Sequence, residues 1–467
     1  MQNEQLMAGA ARIDISPPVG VAHAGWGAQR HQVAEAIDMP LVVTALILAK
    51  GDLRVAMVDV DVLILTAEMD AEARAAVVKE TGIPADNIRL AYSHNHGGPA
   101  MMSRWITEGA DLADAWHAAL PEKIAEAVKA AAVDIQPVVV SSGTGECRIN
   151  VNRRPIDSTG TRFTGRNWND PVDREVGVVG IDKLDGTPLA TMMVYACHPT
   201  IMGHDSKSIT PDFPGPARQV VEQTVGGLCL FLQGAGGNQG PIHGFTGDLS
   251  VYRREGTKLG LEAARVRMNL DPFERAERLV EIVPSGADLG IYEDTPVGKP
   301  DDTLAVAWDE TLLPTRLLEP LDELIERADQ LALDVDKLRS QGASHEELVA
   351  AISRAKKASI AVNCASLLAR HGVDGHIRVR AQAIRIGATV LVAVPLEPFV
   401  EIGLEVKAKS PADRTFFSGF SNGHLNYLPT DLGIEEGGYE VDVSPFAAGS
   451  AGLVTQASLN AIDRVWP

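Results

Sequence analysis

Four apolar, strand-like runs of this chain each end in a short polar or glycine-rich element, and this repeated ending constrains the fold most. The runs IRLAYS, LATMMVYAC, LCLFLQ and ATVLVAVPL lead respectively into His94 with His96, His198, the segment GAGGNQGP at 234–241, and Glu397. In sheets that are flanked by helices, binding sites form at the carboxyl ends of strands. We therefore expect these four endings to meet in one site.

The pattern of the whole chain predicts a mixed α/β (α+β) fold, with central mixed β-sheets flanked by helices, in a single domain over residues 1–467. Strand-like runs alternate with short helices and Gly/Pro-rich breaks in the first half. Residues 315–372 change to helical periodicity, with a capping box predicted at Ser344 and Glu347 and a stop at Gly372. This segment is predicted to be an inserted helical hairpin. It could shape a pocket or an oligomer interface, but plain structural packing is the favoured interpretation.

Composition and charge exclude several classes of partner. The 467 residues carry a net charge of −20, which argues against nucleic acid or an anionic membrane, because both favour a basic face. The apolar stretch at 40–49 is far shorter than the roughly 20 residues that a membrane span needs. The N-terminus does not resemble a secretory signal, and the four cysteines lack CxxC spacing. We expect a cytoplasmic protein that acts on a small molecule, without membrane insertion, and leave a homo-oligomer open.

The residue types at the strand ends permit metal chemistry. Two histidines and a carboxylate form a standard ligand set for a catalytic zinc, which lowers the pKa of bound water to about 7. A further histidine could act as general acid or base. Structural interpretations stay open: the HxH pair as loop histidines, His198 as a capped core residue, and Glu397 as a salt-bridged carboxylate. The segment GAGGNQGP lacks phosphate-loop spacing and is interpreted as a tight turn in which the backbone approaches a ligand closely.

A series of motifs in this chain resembles a known enzyme family. In chain order they are GAARIDISPPVG (9–20), AYSHNHGGP (91–99), INVNRRP (149–155), ACHPTIMG (196–203) with SITPDFPG (208–215), FLQGAGGNQGP (231–241) and LEPFVEIG (396–403). Together they resemble the catalytic domain of the neutral/alkaline, non-lysosomal ceramidases and their bacterial relatives. The resemblance covers about residues 8–440 and implies a single ceramidase-like catalytic domain with Zn²⁺ as cofactor.

Matched position by position, the resemblance implies four zinc ligands. His94 corresponds to the first histidine ligand, His198 to the second and Glu397 to the glutamate ligand. Tyr427, in GHLNYLPT, corresponds to the tyrosine ligand. A phenolic oxygen is a less usual zinc ligand than imidazole or carboxylate.

The resemblance also implies three catalytic residues. His96 corresponds to the histidine beside the substrate amide, where it would shuttle a proton to the leaving group. Tyr439 lies twelve residues beyond Tyr427, as a second family tyrosine does, and would contact the reacting carbonyl. Arg153 corresponds to the arginine near that carbonyl, with Arg154 as the neighbouring alternative. Tyr439 and Arg153 would together stabilise the oxyanion.

The chain departs from the ceramidase pattern at three points. Gly240 stands where ceramidases carry a serine that is proposed as nucleophile or water activator, so a mechanism that needs this hydroxyl is excluded. Neither the C-terminal immunoglobulin-like domain nor a secretion signal is expected from the sequence. We therefore predict a zinc-dependent hydrolase that opens an amide, cyclic amide or lactone in a small polar substrate, with a metal-bound water as nucleophile. The alternatives are a ceramidase or N-acyl-lipid amidase, and a non-catalytic metal- or ligand-binding relative.

Overall fold

A computed structural model of the protein describes residues 5–101 and 105–467. The helices in these ranges are α1 (Ala67–Thr81), α2 (Ala110–Ala131), α3 (Pro214–Thr224), α4 (Leu249–Met268), α5 (Leu321–Ser340), α6 (His345–His371), α7 (Val400–Lys409), α8 (Asp431–Glu436), α9 (Tyr439–Asp442) and α10 (Ser450–Val465). The strands are β1 (Met7–Asp14), β2 (Ala36–Ile37), β3 (Val42–Lys50), β4 (Leu53–Val60), β5 (Ile88–Tyr92), β6 (Gln136–Glu146), β7 (Asn150–Asn152), β8 (Glu175–Lys183), β9 (Pro188–Tyr195), β10 (Ser208–Ile209), β11 (Leu228–Gln233), β12 (Gln239–Pro241), β13 (Glu274–Val283), β14 (Leu289–Val297), β15 (Leu304–Pro314), β16 (Gly372–Val373), β17 (His376–Ile386), β18 (Thr389–Ala393), β19 (Glu397–Pro398), β20 (Arg414–Ser418) and β21 (Tyr427–Leu428).

The larger sheet has eight strands in the order β11-β9-β8-β6-β1-β3-β4-β5. Its inner pairs are antiparallel, whereas β9 with β11 and β4 with β5 are parallel pairs at the two edges. A smaller mixed sheet runs β15-β17-β18-β20, and β16 pairs with β17. Strands such as β3 are apolar on both faces because both faces of this sheet are covered.

The two sheets pack face to face, with helices on their outer faces. Between the sheets, residues such as Leu46, Met57 and Leu230 meet Ile384 and Phe416. Helices α1 and α2 cover the outer face of the larger sheet at the β1-β3-β4-β5 side, while α3 and α4 cover its β8-β9-β11 side. Helices α7 and α10 cover the smaller sheet. The predicted mixed sheets flanked by helices are therefore confirmed.

The larger sheet curls until its two edges meet. Strand β11 packs against β3, β4 and β5, which lie far from it in strand order. The backbone N–H of Phe231 donates to Asp59 at 2.8 Å, and the buried Arg218 joins Asp59 and Asp61 with hydrogen bonds of 2.7 and 2.6 Å. This curl brings the carboxyl ends of β5 and β9 together, although five strands lie between them in the order of the sheet.

The predicted helical hairpin is present as α5 and α6, between β15 and β17. The capping box forms as expected: Ser344 accepts from the backbone of Glu347, whose carboxylate accepts from the backbone of Ser344. Helix α6 ends at His371, and Gly372 follows as its C-cap with extended backbone. The two helices pack on each other and, through residues such as Ile352 and Val335, on the core beside α2.

The antiparallel pair β13 and β14 is a feature that the sequence did not predict. All but one of its residues are exposed, and large apolar side chains such as Ile282 and Tyr292 face solvent. Neither face is buried, so the segment lacks the alternation of apolar and polar residues from which a strand is predicted.

Across residues 5–101 and 105–467, no helix combines the length and the apolar character that a membrane crossing requires. The four cysteines are buried as free thiols.

Candidate active site

The predicted metal ligands come from four separate elements. His94 follows β5 and His198 follows β9, while Glu397 and Tyr427 face each other as register partners in the short parallel pair of β19 and β21. His94 has a φ of 61°, in the left-handed region that side chains rarely adopt. Such strain costs on the order of 1–3 kcal/mol and gathers at functional sites.

The two histidines hold their ring nitrogens in a defined arrangement. The Nδ1 atom of His94 lies 2.6 Å from the carbonyl oxygen of Leu63, and Nδ1 of His198 lies 2.8 Å from that of Gly236. A carbonyl oxygen only accepts hydrogen bonds, so each Nδ1 carries the proton. Both Nε2 atoms therefore present lone pairs, and they lie only 3.1 Å apart.

Two oxygens complete this convergence. Oε2 of Glu397 lies 3.6 Å from Nε2 of His94 and 3.4 Å from Nε2 of His198, and it is buried without a hydrogen-bond partner in the part of the chain that the structure describes. The hydroxyl of Tyr427 lies 3.1 Å from Nε2 of His198. Lone pairs packed this closely repel one another unless a cation lies among them, so the donor set fits a metal ion.

The protonation state of the histidines agrees with this fit. Burial lowers the pKa of His94 and of His198 well below the ordinary 6.5. Both imidazoles are therefore neutral near pH 7, which is the form that binds a metal.

His96 lies beside these ligands rather than among the closest of them. Its ring centre is 5.1 Å from that of His94, and its Nε2 atom is buried with no hydrogen-bond partner among residues 5–101 and 105–467. Burial, followed by the charge of His198, lowers its pKa well below 6.5. The ligand atoms of His94, His96 and His198 all lie within 4.8 Å of one another. His96 is thus a candidate for either a fifth ligand or a free acid–base group.

A buried ion-pair network supports Tyr427 from behind. The guanidinium of Arg153 donates to the hydroxyl of Tyr427 at 2.9 Å and to Glu440 at 3.0 Å. Arg154 instead donates to the other carboxylate oxygen of Glu440 at 2.9 Å and to the carbonyl of Gly437 at 2.8 Å. Of the two arginines, Arg153 is therefore the one that contacts the site, and it does so through Tyr427.

Tyr439 lines the cavity in front of the candidate ligands. Its ring lies 6.0 Å from that of Tyr427, nearly perpendicular to it, and 41% of the residue is exposed. Tyr439 therefore presents exposed surface to the cavity.

The segment GAGGNQGP builds the wall that orients His198. A Cβ atom on Gly237 would come within 2.5 Å of the backbone oxygen of Glu397, so only glycine allows this turn to approach β19 so closely. Gly240 belongs to β12, and a Cβ there would meet the side chain of Arg153 at 3.2 Å. The segment thus acts through backbone contacts with the site.

A cavity of about 530 Å³ opens above these residues. His94, His96, Glu397, Tyr427 and Tyr439 lie in its wall. Apolar side chains form much of the remainder, namely Leu63, Ile64, Met69, Trp105, Ile360, Leu367 and Val443. Helix α6 covers one side, so the hairpin shapes the cavity in addition to the simple packing that the sequence favoured.

Three residues around the candidate ligands were not predicted from the sequence, namely Tyr92, His424 and Glu440. Nε2 of His424 lies 3.7 Å from Oε1 of Glu397, and Nδ1 of His424 contacts the hydroxyl of Tyr92 at 2.9 Å. Glu440 anchors both arginines. His424 lies three residues before Tyr427 and Glu440 directly follows Tyr439, so proximity to the motif residues was the available signal.

The first half of the chain is similar to known ceramidases. The N-terminal family model of neutral/alkaline non-lysosomal ceramidase matches residues 6–237. Neutral ceramidase B of Dictyostelium discoideum is 27% identical over 146 residues, and neutral ceramidase A of the same organism is 26% identical over 147 residues. These alignments cover 30% of this chain, 20% of neutral ceramidase B and 21% of neutral ceramidase A.

Solved structures extend the likeness to the whole fold. The crystal structure of neutral ceramidase from Pseudomonas aeruginosa matches with a TM-score of 0.68 at 18% identity, covering 99% of this chain and 75% of that one. A structure of ceramidase complexed with C2 matches with a TM-score of 0.66 at 19% identity, covering 98% and 75%. The architecture is therefore that of these ceramidase structures. Residues 6–237 thus match the neutral/alkaline non-lysosomal ceramidase family, in agreement with the resemblance of the sequence motifs.

Proposed function

We propose that the protein is a zinc-dependent hydrolase that cleaves the amide bond of an N-acyl substrate. The observation that carries the proposal is the convergence of His94, His198, Glu397 and Tyr427 beside a cavity that all of them but His198 line. A Zn²⁺ ion bound there would supply Lewis acidity toward the amide carbonyl and would lower the pKa of water.

His96 is proposed to move the proton of the reaction. In amide hydrolysis, the oxygen of water bonds to the acyl carbon, the C–N bond breaks, and the leaving nitrogen gains a proton. The Nε2 atom of His96 has no hydrogen-bond partner among the described residues, and the lowered pKa of the residue keeps it able to accept a proton near pH 7. It can therefore take the proton from water and pass it to the nitrogen.

Tyr439 is proposed to stabilise the oxyanion that develops on the carbonyl. Tyr439 lines the cavity, and a hydrogen-bond donor that is oriented before the reaction stabilises the charge that develops on the carbonyl oxygen. Arg153 does not line the cavity and contacts Tyr427 instead. We therefore assign Arg153 to positioning Tyr427 and not to direct contact with the substrate.

Gly240 leaves the chain without the family serine at that position. A side chain there would be directed against Arg153. This agrees with a reaction in which water is the nucleophile and no acyl-enzyme forms.

The apolar cavity wall and the family of the chain support an N-acyl lipid as substrate. This is the first alternative raised from the sequence, and both observations favour it over a small polar substrate or a lactone. A cavity that buries apolar surface contributes about 25 cal/mol per Å² to binding an acyl chain.

The test is hydrolysis of N-acyl substrates by purified protein whose metal content has been measured. We expect about one zinc per chain and release of fatty acid from fluorescent N-acyl sphingosine or N-acyl amine substrates, with loss of both on chelation. Stoichiometric zinc without hydrolysis of any amide, ester or lactone would support the non-catalytic alternative. Opening of short lactones without cleavage of N-acyl amides would instead support the small polar substrate that was predicted from the sequence.

A further inference from the structure

The cavity contains one lysine for which the proposed hydrolysis has no use. Lys356, on α6, lines the cavity and is partly buried. It donates a hydrogen bond to the backbone carbonyl of Gly25 at 3.0 Å, and its ammonium lies 5.8 Å from the centre of the Trp26 ring. An ammonium has three N–H donors, so one carbonyl does not satisfy it.

The charge of Lys356 has no acidic partner in the described ranges 5–101 and 105–467. Other basic side chains at the cavity differ: Arg370 and His371 lie 3.1 and 3.4 Å from the carboxylate of Glu68. Burial lowers the pKa of Lys356 to about 8, which still leaves most molecules protonated at pH 7. A ligand that brings an anionic group would supply the missing partner.

Lys356 belongs to the same part of the cavity as His96. The Trp26 ring contacts both residues, with its centre 4.9 Å from that of His96. Three effects lower the pKa of His96 most: burial is the largest, the charge of His198 is the second, and the charge of Lys356 is the third. The proposed proton donor to the leaving nitrogen and the unpaired cation therefore face the same portion of a bound substrate.

We propose that Lys356 binds a carboxylate on the amine portion of the substrate, so that N-acyl amino acids are preferred over neutral N-acyl amines. This inference rests on the proposed amide hydrolysis, since it uses the side on which the nitrogen leaves. Water adds to the acyl carbon, the C–N bond breaks and the nitrogen takes the proton. The products are a fatty acid and an amino acid whose carboxylate stays beside Lys356.

The test compares N-lauroylglycine with N-lauroylglycinamide, in which a neutral carboxamide replaces the carboxylate. A charge-assisted hydrogen bond predicts a kcat/KM about 10- to 100-fold higher for the carboxylate than for the carboxamide in metal-loaded protein. Lys356→Met should abolish this ratio, and Lys356→Arg should restore part of it. Lys357→Met, at the exposed neighbouring position, is the matched control and should keep the ratio.

Two outcomes would overturn the assignment of Lys356. One is equal kcat/KM for the two substrates in the unmodified protein. The other is a loss in Lys356→Met that is the same for both substrates, because a merely structural lysine would behave in that way.

A binding experiment separates this inference from the proposed function. Metal-free protein should bind N-lauroylglycine more tightly than the carboxamide in calorimetry, and Lys356→Met should remove the difference. If this difference appears but metal-loaded protein cleaves neither compound, the amide hydrolysis is refuted while the anion site stands. If both compounds are cleaved but bind equally, only the anion site is refuted.

Discussion

Replacing Glu440 should cost more stability than any exposed carboxylate in the same segment. Its side chain is 4% exposed and accepts from Arg153 and Arg154, whose side chains are 6% and 3% exposed. Glu440→Ala leaves two buried guanidiniums without their shared anion. Removing one partner of a buried ion pair typically costs about 3–5 kcal/mol.

The contacts that both arginines keep place the expected loss of unfolding free energy near the lower end of this range, at about 3 kcal/mol. After the substitution, Arg153 keeps the hydroxyl of Tyr427, while Arg154 keeps the carbonyl of Gly437 and Glu436 at 3.7 Å. An unfolding entropy of about 2.1 cal/mol/K per residue amounts to roughly 1 kcal/mol/K for 467 residues, so Tm should fall by about 3 °C.

Urea denaturation and a thermal scan of metal-free protein measure this effect. Glu435→Ala, at an exposed position in α8, is the matched control and should stay within about 0.5 kcal/mol of the parent. Adding Arg154→Met to Glu440→Ala should recover part of the loss, because one unpaired buried charge disappears. A loss below about 1 kcal/mol, or a double variant that is less stable still, would refute the reasoning.

Three further predictions concern the ligands, the glycine wall and pH. His94→Ala should lose zinc and activity together, whereas His96→Ala should keep zinc and lose activity. The zinc content of both variants is measured by mass spectrometry. A His96→Ala protein without zinc would show that His96 is a ligand. Gly237→Ala should lower the free energy of unfolding by about 1–3 kcal/mol, because the new Cβ meets fixed backbone oxygens. Gly452→Ala in α10, whose Cβ would meet no atom within 4 Å, is the control and should raise the free energy of unfolding by up to about 1 kcal/mol. Denaturant unfolding measures both. Burial raises the pKa of Asp212 from 3.8 to about 7, so the folded state binds the extra proton. Stability relative to Asp212→Asn should therefore fall as pH rises from 4 to 7, by up to about 1.4 kcal/mol per pH unit, and a flat difference would contradict the shift.

The elements of the fold that bury an apolar face could be predicted from the sequence. The runs that became β5, β9, β11 and β18 are apolar and end in polar residues, and the capping box of α6 is a local signal. The ribbon of β13 and β14 could not be predicted, because it buries neither face and has no apolar periodicity.

The composition of the candidate site was predictable, but its connections were not. The strand ends indicated His94, His198 and Glu397 as neighbours, and the family resemblance added Tyr427. Their proximity depends on the curl of the larger sheet, which no local pattern encodes. Glu440 and the roles of the two arginines likewise depend on contacts between residues nearly 290 positions apart.

The hairpin of α5 and α6 enters and leaves the fold at a single point. Pro314 and His376 are paired across β15 and β17, and the N–H of Thr315 donates to the carbonyl of Gly375 at 2.9 Å. The cavity wall on this side is thus one uninterrupted stretch of chain, while the candidate metal ligands are dispersed over distant strands. Evolution can therefore exchange or remodel that stretch as a unit and change the shape of the cavity without disturbing the candidate ligands.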